Sequence, residues 1–192
     1  MKFLILLSFF NLNNMNLKTA TFGSGCFWCT EAIFELVDGV EDVISGYSGG
    51  NTENPTYKDV TSGKTNHAEV VNVIYNPSKI SYLELLEIFW RTHDPTTLNR
   101  QGADVGTQYR SIILFHDEEQ RKLAEETMKK LDESGAWNSP IVTKIEKFEK
   151  FYLAENYHQN YYELNPNNSY CSYVISPKID KFKKAFSDIL KN

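Results

Sequence analysis

The sequence has few cysteines and no excess of basic residues. Three thiols in 192 residues cannot form the disulfide framework of a small secreted domain, and a chain of this length can fold without one. Lys and Arg number 20 against 25 Asp and Glu, so the basic surface that nucleic acid requires is missing. We therefore expect a self-sufficient globular protein with no nucleic-acid partner.

Long apolar runs are also missing. The apolar stretch over 3–10 is much shorter than the ~20 residues of a membrane-spanning helix, so we expect no membrane partner. Because it follows Lys2, this stretch resembles a short signal peptide, although no small-x-small cleavage site follows it. A translation start at Met15 is the alternative that we favour over export, and a structured arm is a third. We expect a signal-like or mis-assigned extension over 1–16 and a single domain over 17–192, in the cytoplasm or, alternatively, exported.

Aromatic residues, by contrast, make up 14% of the chain, which suits an aromatic-lined pocket. Strand and helix patterns follow one another without regular alternation, which favours the α+β class over a doubly wound sheet. A capping box at Ser81 and Glu84 marks one helix start. The predicted strands cover 18–22, 40–47, 67–75, 111–115 and 142–148, and the predicted helices cover 26–37, 81–92, 117–134 and a last segment from 176.

The most informative motif is Gly-Ser-Gly-Cys-Phe-Trp-Cys over 23–29. A glycine-rich loop after a strand places Cys26 at or just before a helix N-terminus, where backbone N–H groups favour an anion, so we expect roughly half of this thiol to be ionised at pH 7. Phe27 and Trp28 would form the wall of a site for something small and uncharged. Cys29 lies at C-x-x-C spacing, within disulfide reach. A buried structural thiol, a zinc site that also uses Cys171 and a histidine, and a thioredoxin-like dithiol remain alternatives.

Several other residues are candidates for the same site. Glu69 lies in a Val-rich strand, where burial would raise its pKa and make it a proton donor, unless it faces solvent. Asp104 and Tyr109 belong to a dense polar loop, and Tyr57 follows turn residues. Cys171 follows a turn segment that could swing toward Cys26, or is an incidental exposed thiol. We interpret His158 as structural.

Seven motifs together resemble the A-type peptide-methionine sulfoxide reductases, which are specific for the S epimer of the sulfoxide. Each motif alone is weak, but their joint order along the chain after Leu17 is specific. The matching stretches are 25–28 (GCFW), 46–50 (GYSGG), 54–57 (NPTY), 67–71 (HAEVV), 93–97 (HDPTT), 106–111 (GTQYRS) and 157–159 (YHQ).

The resemblance implies a role for each candidate and a two-layer α+β sandwich with a ferredoxin-like βαββαβ core and extended loops. The nucleophile would be Cys26, and Glu69 would protonate the sulfoxide oxygen. The groups that bind or organise around that oxygen would be Tyr57, Tyr109 and Asp104. The groups that pack on the substrate methyl would be Phe27 and Trp28.

The resemblance also implies how the enzyme is recycled. Cys26 would become a sulfenic acid, a second thiol would condense with it, and thioredoxin would reduce the disulfide. Many relatives have Gly where this chain has Cys29, so the second thiol is ambiguous: we favour Cys171, with Cys29 as the alternative. We expect no metal or organic cofactor, a monomer, and a role in repair of oxidative damage. A general thiol–disulfide oxidoreductase and a zinc-binding module are the rival functions.

Overall fold

The computed structural model describes residues 16–191. The extension expected over 1–16 therefore lies, apart from its last residue, outside the described residues. The strands are β1 (Lys18–Ser24), β2 (Val40–Ser48), β3 (Ala68–Tyr75), β4 (Arg100–Gln101), β5 (Asp104–Val105), β6 (Ser111–Phe115), β7 (Lys144–Lys147) and β8 (Phe151–Leu153). The helices are α1 (Phe27–Phe34), α2 (Tyr57–Thr61), α3 (Tyr82–Thr92), α4 (Glu118–Glu133), α5 (Tyr161–Leu164) and α6 (Ser176–Ala185).

Six of the strands form one mixed sheet in the order β7-β6-β1-β3-β2-β8, and β4 pairs with β5 in a separate short ribbon. Every neighbouring pair in the large sheet is antiparallel except β6 and β7. Strands and helices mix without regular alternation, so the expected α+β class is confirmed.

The main core lies between one face of the sheet and two helices. Phe22 of β1 stacks on Phe34 of α1 and on Tyr82 and Phe89 of α3, with ring centroids 5.2–6.1 Å apart. A smaller apolar cluster on other strand positions contains Val70 and is covered by partly buried phenylalanines of the 148–151 segment. Because side chains alternate along a strand, β3 residues at odd positions face α1.

Local sequence signals agree with the structure best where the contacts are local. Ser81 and Glu84 form the predicted capping box at the start of α3. Helix α1 ends at Phe34, three residues earlier than the sequence predicts, and the last helix ends at Ala185 rather than continuing to 190. Strand β8 and helices α2 and α5 were not predicted, because each is five residues or shorter. Helix α2 nevertheless has a local signal, the capping box between Thr56 and Asp59.

Candidate active site

Cys26 lies at the junction of β1 and α1, at the position that caps the helix. The preceding residue, Gly25, has φ +101°, and a Cβ atom there would lie 2.7 Å from the side chain of Gln101. Glycine is therefore required for the chain to turn from the strand into the helix at this point. The turn leaves Cys26 at the end of the sheet with only 7% of its surface exposed.

Glu69 lies beneath the same helix terminus. It shares a face of β3 with Val71 and Val73, which pack in the main core, and it is 1% exposed. Its Oε2 accepts a hydrogen bond from the backbone N–H of Phe27 at 3.0 Å. The alternative in which Glu69 faces solvent is therefore wrong.

This hydrogen bond also corrects the expectation of a resting Cys26 thiolate. The first free N–H of α1 is taken by the carboxylate of Glu69, and the Cys26 side chain makes no capping hydrogen bond. Burial, the hydrogen bond with Cys29 and the charge of Glu69 raise the pKa of Cys26 well above its ordinary value. The site at rest holds a protonated Cys26 thiol.

The electrostatics of Glu69 favour the acid form. Burial raises its pKa from 4.5 to about 8, and the charge of Asp104 adds to this rise, whereas the Phe27 N–H opposes it. At neutral pH the carboxyl group is therefore mostly protonated, next to a buried thiol. A proton donor with a pKa close to the working pH is what general-acid catalysis requires.

Two tyrosine hydroxyls face this pair. Tyr57 opens α2, and Tyr109 ends a short 3₁₀ turn over Thr107–Tyr109. Burial, followed by the charges of Glu69 and Cys26, raises the pKa of Tyr57 to about 12. Burial and the charge of Glu69 also raise the pKa of Tyr109, and the two hydroxyls hydrogen-bond each other. Both remain hydrogen-bond donors at any physiological pH.

Tyr170, for which no role was predicted, lies between Asp104 and Cys29. The Tyr170 hydroxyl donates to Asp104 Oδ2 at 2.6 Å and lies 3.9 Å from Cys29 Sγ. Tyr170 also opposes the rise in the pKa of Cys26. The Tyr170 hydroxyl therefore lies between the Asp104 carboxylate and the Cys29 thiol.

The third cysteine is close to this group and is fully buried. Cys171 opens a π-helical turn over Cys171–Ile175 and is 0% exposed, so the interpretation as an exposed incidental thiol is wrong. Burial and then the charge of Cys29 raise its pKa. Cys29 behaves in the opposite way, since its hydrogen bond with Cys26 lowers its pKa to about 7 despite burial.

An aromatic wall borders the thiols. Phe27 is buried and packs against Tyr47, with ring centroids 5.8 Å apart. The ring of the half-buried Trp28 lies parallel to that of Tyr161, with centroids 3.6 Å apart. Trp28 also makes an edge contact with the ring of Tyr170, whose hydroxyl lies beside Cys29. The surroundings of Cys26, called the hollow below, therefore have an apolar side formed by aromatic rings and a polar side formed by Glu69 and the tyrosines.

Comparison with known proteins agrees with this geometry. Residues 18–190 match the family described as peptide methionine sulfoxide reductase. The chain belongs to this family. The peptide methionine sulfoxide reductase MsrA of Natronomonas pharaonis is 57% identical over 170 residues, which cover 88% of this chain and 96% of that protein. The chain is therefore an enzyme with methionine sulfoxide reductase activity.

Solved structures of reductases have the same fold. Reduced Mxr1 from Saccharomyces cerevisiae superposes with a TM-score of 0.76 and 39% identity, covering 81% of this chain and 89% of that one. Mxr1 in complex with Trx2 matches with a TM-score of 0.54 and 30% identity, covering 76% and 84%.

The sequence-predicted residues of this reductase converge on one place, but the groups that hold them were missed. Glu155 accepts hydrogen bonds from the Tyr57 backbone N–H and the Tyr47 hydroxyl, both at 2.8 Å. Neither Glu155 nor Tyr170 was assigned a role from the sequence, because the residues that their side chains hydrogen-bond lie 66 or more residues away.

The part of the chain that the structure describes contains neither a metal-binding cluster nor a membrane-spanning helix. Within residues 16–191 no group of three or more His, Cys, Asp or Glu side chains is placed to hold a metal ion. No helix in that part of the reductase is long and apolar enough to cross a membrane.

Proposed function

We propose that the enzyme reduces methionine S-sulfoxide, free or within a protein, by attack of Cys26 on the sulfoxide sulfur with Glu69 as the acid. The observation that carries this proposal is the position of Glu69: a buried carboxyl with a pKa of about 8, hydrogen-bonded to the helix terminus that Cys26 caps. Phe27 and Trp28 would contact the methyl group, and Tyr57 and Tyr109 would donate hydrogen bonds to the oxygen.

The number of protons that Cys26 and Glu69 hold together defines the reactive state of the site. Cys26 and Glu69 both have raised pKa values, so at rest the pair carries two protons. Because Glu69 has the lower pKa of the two, loss of one proton leaves mainly an ionised Glu69 beside the Cys26 thiol. Transfer of the remaining proton from Cys26 to Glu69 gives the state that contains both the nucleophile and the acid. Apparent pKa values then belong to the pair rather than to either residue.

The first step forms a sulfenic acid. The Cys26 sulfur attacks the sulfoxide sulfur, Glu69 delivers its proton to the oxygen, and the oxygen is transferred to Cys26 as the methionine thioether leaves. Cys26 is oxidised by two electrons and the sulfoxide is reduced by two. Asp104 would help to organise the polar side of the hollow through its contact with the Tyr170 hydroxyl.

Two thiols are available for the second step, and their acidities differ. Cys29 hydrogen-bonds Cys26 and has a pKa of about 7, so roughly half of it is thiolate at neutral pH. The pKa of Cys171 is raised by burial. We assign the first condensation to Cys29, which forms the Cys26–Cys29 disulfide and releases water. Cys171 then attacks Cys29, forms a Cys29–Cys171 disulfide and returns Cys26 to its thiol form.

Thioredoxin is the proposed reductant of that disulfide. Its dithiol supplies the two electrons and two protons by exchange through a mixed disulfide. Support comes from the solved complex of the related Mxr1 with Trx2. Thioredoxin-dependent turnover fits repair of oxidised methionine, with the cytoplasm as the proposed location and a monomer as the proposed state.

The architecture supports two finer proposals about the fold. We propose a ferredoxin-like core of β1, α1, β2, β3, α3 and β6, because these strands lie in the order β6-β1-β3-β2 within the sheet. We also propose that 17–192 is one catalytic domain, since α1, α3 and the sheet share one apolar core.

Replacement of the nucleophile tests the proposal. Cys26→Ser should abolish reduction of dabsyl-methionine S-sulfoxide, because a serine hydroxyl is a poor nucleophile without an adjacent base. Measurable turnover by that variant would refute the assignment. Sulfoxide reduction by the wild-type enzyme without reduction of insulin disulfides separates it from a general thiol–disulfide oxidoreductase, the rival that the Cys26–Cys29 contact favours.

Trapping of the oxidised thiols tests the order of the second step. After one equivalent of sulfoxide, Cys171→Ser should contain a Cys26–Cys29 disulfide, should have released one methionine, and should stall with thioredoxin. Cys29→Ser should accumulate the Cys26 sulfenic acid. Mass spectrometry of the alkylated proteins measures both. Disulfide formation in Cys29→Ser at the wild-type rate would assign the first condensation to Cys171.

A further inference from the structure

His158 lies directly behind the aromatic wall and contacts residues on two sides of the hollow. It ends a 3₁₀ turn over Asn156–His158 and is 1% exposed. Its Nδ1 accepts a hydrogen bond from the Trp28 indole Nε1–H at 3.1 Å. The imidazole ring also packs on Phe27 and Tyr57, with centroids 5.0 and 4.5 Å away. One side chain thus connects the apolar wall with an oxygen-binding tyrosine.

The hydrogen bond at Nδ1 orients the ring and decides its tautomer. An indole N–H can only donate, so Nδ1 of His158 is unprotonated and the neutral ring carries its proton on Nε2. Nε2 is buried, has no hydrogen-bond partner in the described part of the chain, and lies 3.9 Å from Oε2 of Glu155. The same carboxylate accepts from the Tyr57 backbone N–H and the Tyr47 hydroxyl, each at 2.8 Å. His158 and Glu155 together therefore connect Trp28 with the start of α2.

Another buried histidine, His93, provides a contrast. His93 also has both nitrogens in contact with the protein, but they contact the Phe89 carbonyl and the Ser111 hydroxyl, each at 2.7 Å. Neither partner belongs to the wall of the hollow. His93 therefore holds α3 against β6, whereas His158 contacts Phe27, Trp28 and Tyr57 of the site, and also the exposed Tyr157.

We propose that His158 is a positioning residue that fixes the separation of Trp28 and Tyr57, and so restricts the hollow to a methyl sulfoxide. This inference rests on the proposed function, in which Trp28 contacts the methyl group and Tyr57 binds the oxygen. The two substituents are bonded to one sulfur, so the separation of their contacts decides which alkyl group fits. One methylene group changes the specificity of an apolar pocket by about 10–200-fold.

Three variants separate positioning from a structural role. His158→Asn keeps an acceptor near the Nδ1 position, His158→Gln moves the polar group away from it, and His158→Leu removes it. We would measure kcat and KM for methionine S-sulfoxide and for its S-ethyl analogue, ethionine S-sulfoxide. His93→Asn controls for the loss of a buried imidazole elsewhere.

The expected result is a change in KM and in the methyl preference, larger than the change in kcat. His158→Leu and His158→Gln should raise KM for the methyl substrate and lower the methyl-to-ethyl ratio of kcat/KM by roughly 10-fold or more. His158→Asn should recover most of that ratio. His93→Asn should lower thermal stability and leave the ratio unchanged.

A spectroscopic measurement follows the hydrogen bond itself. In ¹⁵N-labelled protein the Trp28 indole N–H signal, assigned by its disappearance in Trp28→Phe, should shift upfield and exchange faster in His158→Leu. The Trp90 indole, which donates to Thr127 Oγ1 at 3.0 Å, is the internal reference. An unshifted Trp28 signal in His158→Leu would overturn the proposal.

Two further kinetic outcomes would also refute it. Unchanged methyl preference in folded His158→Leu and His158→Gln would mean that the ring does not set the separation. The same conclusion would follow if His158→Asn retained the bonded indole signal yet lost the preference. A wild-type enzyme with no methyl preference would remove the wall proposed for Trp28, and this inference with it, while leaving the Cys26 chemistry intact.

Discussion

Replacement of Glu69 by glutamine should stabilise the enzyme while it removes the catalytic acid. The pKa of Glu69 rises from 4.5 to about 8 on folding, mainly because the carboxyl is buried. Between these two values the native state binds a proton that the unfolded state has lost, so stability falls as pH rises. Glutamine does not titrate, is almost the same size, and can still accept the Phe27 N–H bond.

The magnitude follows from the width of that pH interval. Each pKa unit corresponds to 1.36 kcal/mol, and the pKa of Glu69 rises by about 3.5 units on folding. The free energy of unfolding of Glu69→Gln should therefore exceed that of wild type by ~5 kcal/mol above pH 8 and by ~3 kcal/mol at pH 7. At pH 4 the carboxyl is mostly neutral in both states, and the difference between Glu69→Gln and wild type should be small. The sulfoxide-reduction step should slow by ~10²–10⁴-fold.

Urea unfolding of the reduced proteins at pH 4, 5.5, 7 and 8 measures the stability difference, and single-turnover methionine release measures the chemical step. Glu149→Gln, which removes an exposed carboxyl, provides the baseline. A stability difference that stays flat from pH 4 to 8 would show that Glu69 is not protonated in the native state. An unchanged single-turnover rate would remove its role as the acid.

Three further outcomes are expected. The pH profile of kcat/KM should be bell-shaped, rising near pH 8 as the Cys26–Glu69 pair loses its first proton and falling as it loses the second; a plateau at high pH would contradict a catalytic proton on Glu69. Gly25→Ala should lower the urea midpoint and the activity together, because φ +101° is strained for alanine and its Cβ would overlap a side chain. Tyr57→Phe and Tyr109→Phe should each lower kcat/KM for the sulfoxide by roughly 5–150-fold, because each removes one charge-assisted hydrogen bond of about 1–3 kcal/mol. Both should change the urea midpoint less than Gly25→Ala does. An equal loss of stability in all three variants would indicate that the tyrosines have a structural role.

Several features could be predicted from the sequence because their causes are local. The capping box at Ser81 needs only residues three positions apart, and the glycine before Cys26 precedes a helix start that the spacing of apolar residues reveals. Whether Glu69 is buried could not be decided from the sequence. Alternation along a strand defines two faces but does not indicate which face a helix covers.

Features with distant causes could not be predicted in this way. The state of Cys26 was predicted wrongly because the competing acceptor for the helix N–H, Glu69, is 42 residues away in sequence. Tyr170 was overlooked because Asp104 and Cys29 reach it only through the tertiary fold. The three-residue β8 pairs with β2 more than 100 residues earlier, so nothing in its own sequence marks it.

The raised pKa values of Cys26 and Glu69 have a common origin and a common consequence. Burial disfavours the charged form of each, so the pair rests in a neutral, doubly protonated state. A buried thiol that keeps its proton is a poor target for oxidants, because the thiolate is the reactive form. Loss of one proton, followed by transfer of the remaining proton from Cys26 to Glu69, produces the nucleophile and the acid together, beside two tyrosine hydroxyls that can donate hydrogen bonds to a sulfoxide oxygen. The burial that destabilises the ionised carboxylate therefore also confines the reactivity of the thiol to the state that can reduce a sulfoxide.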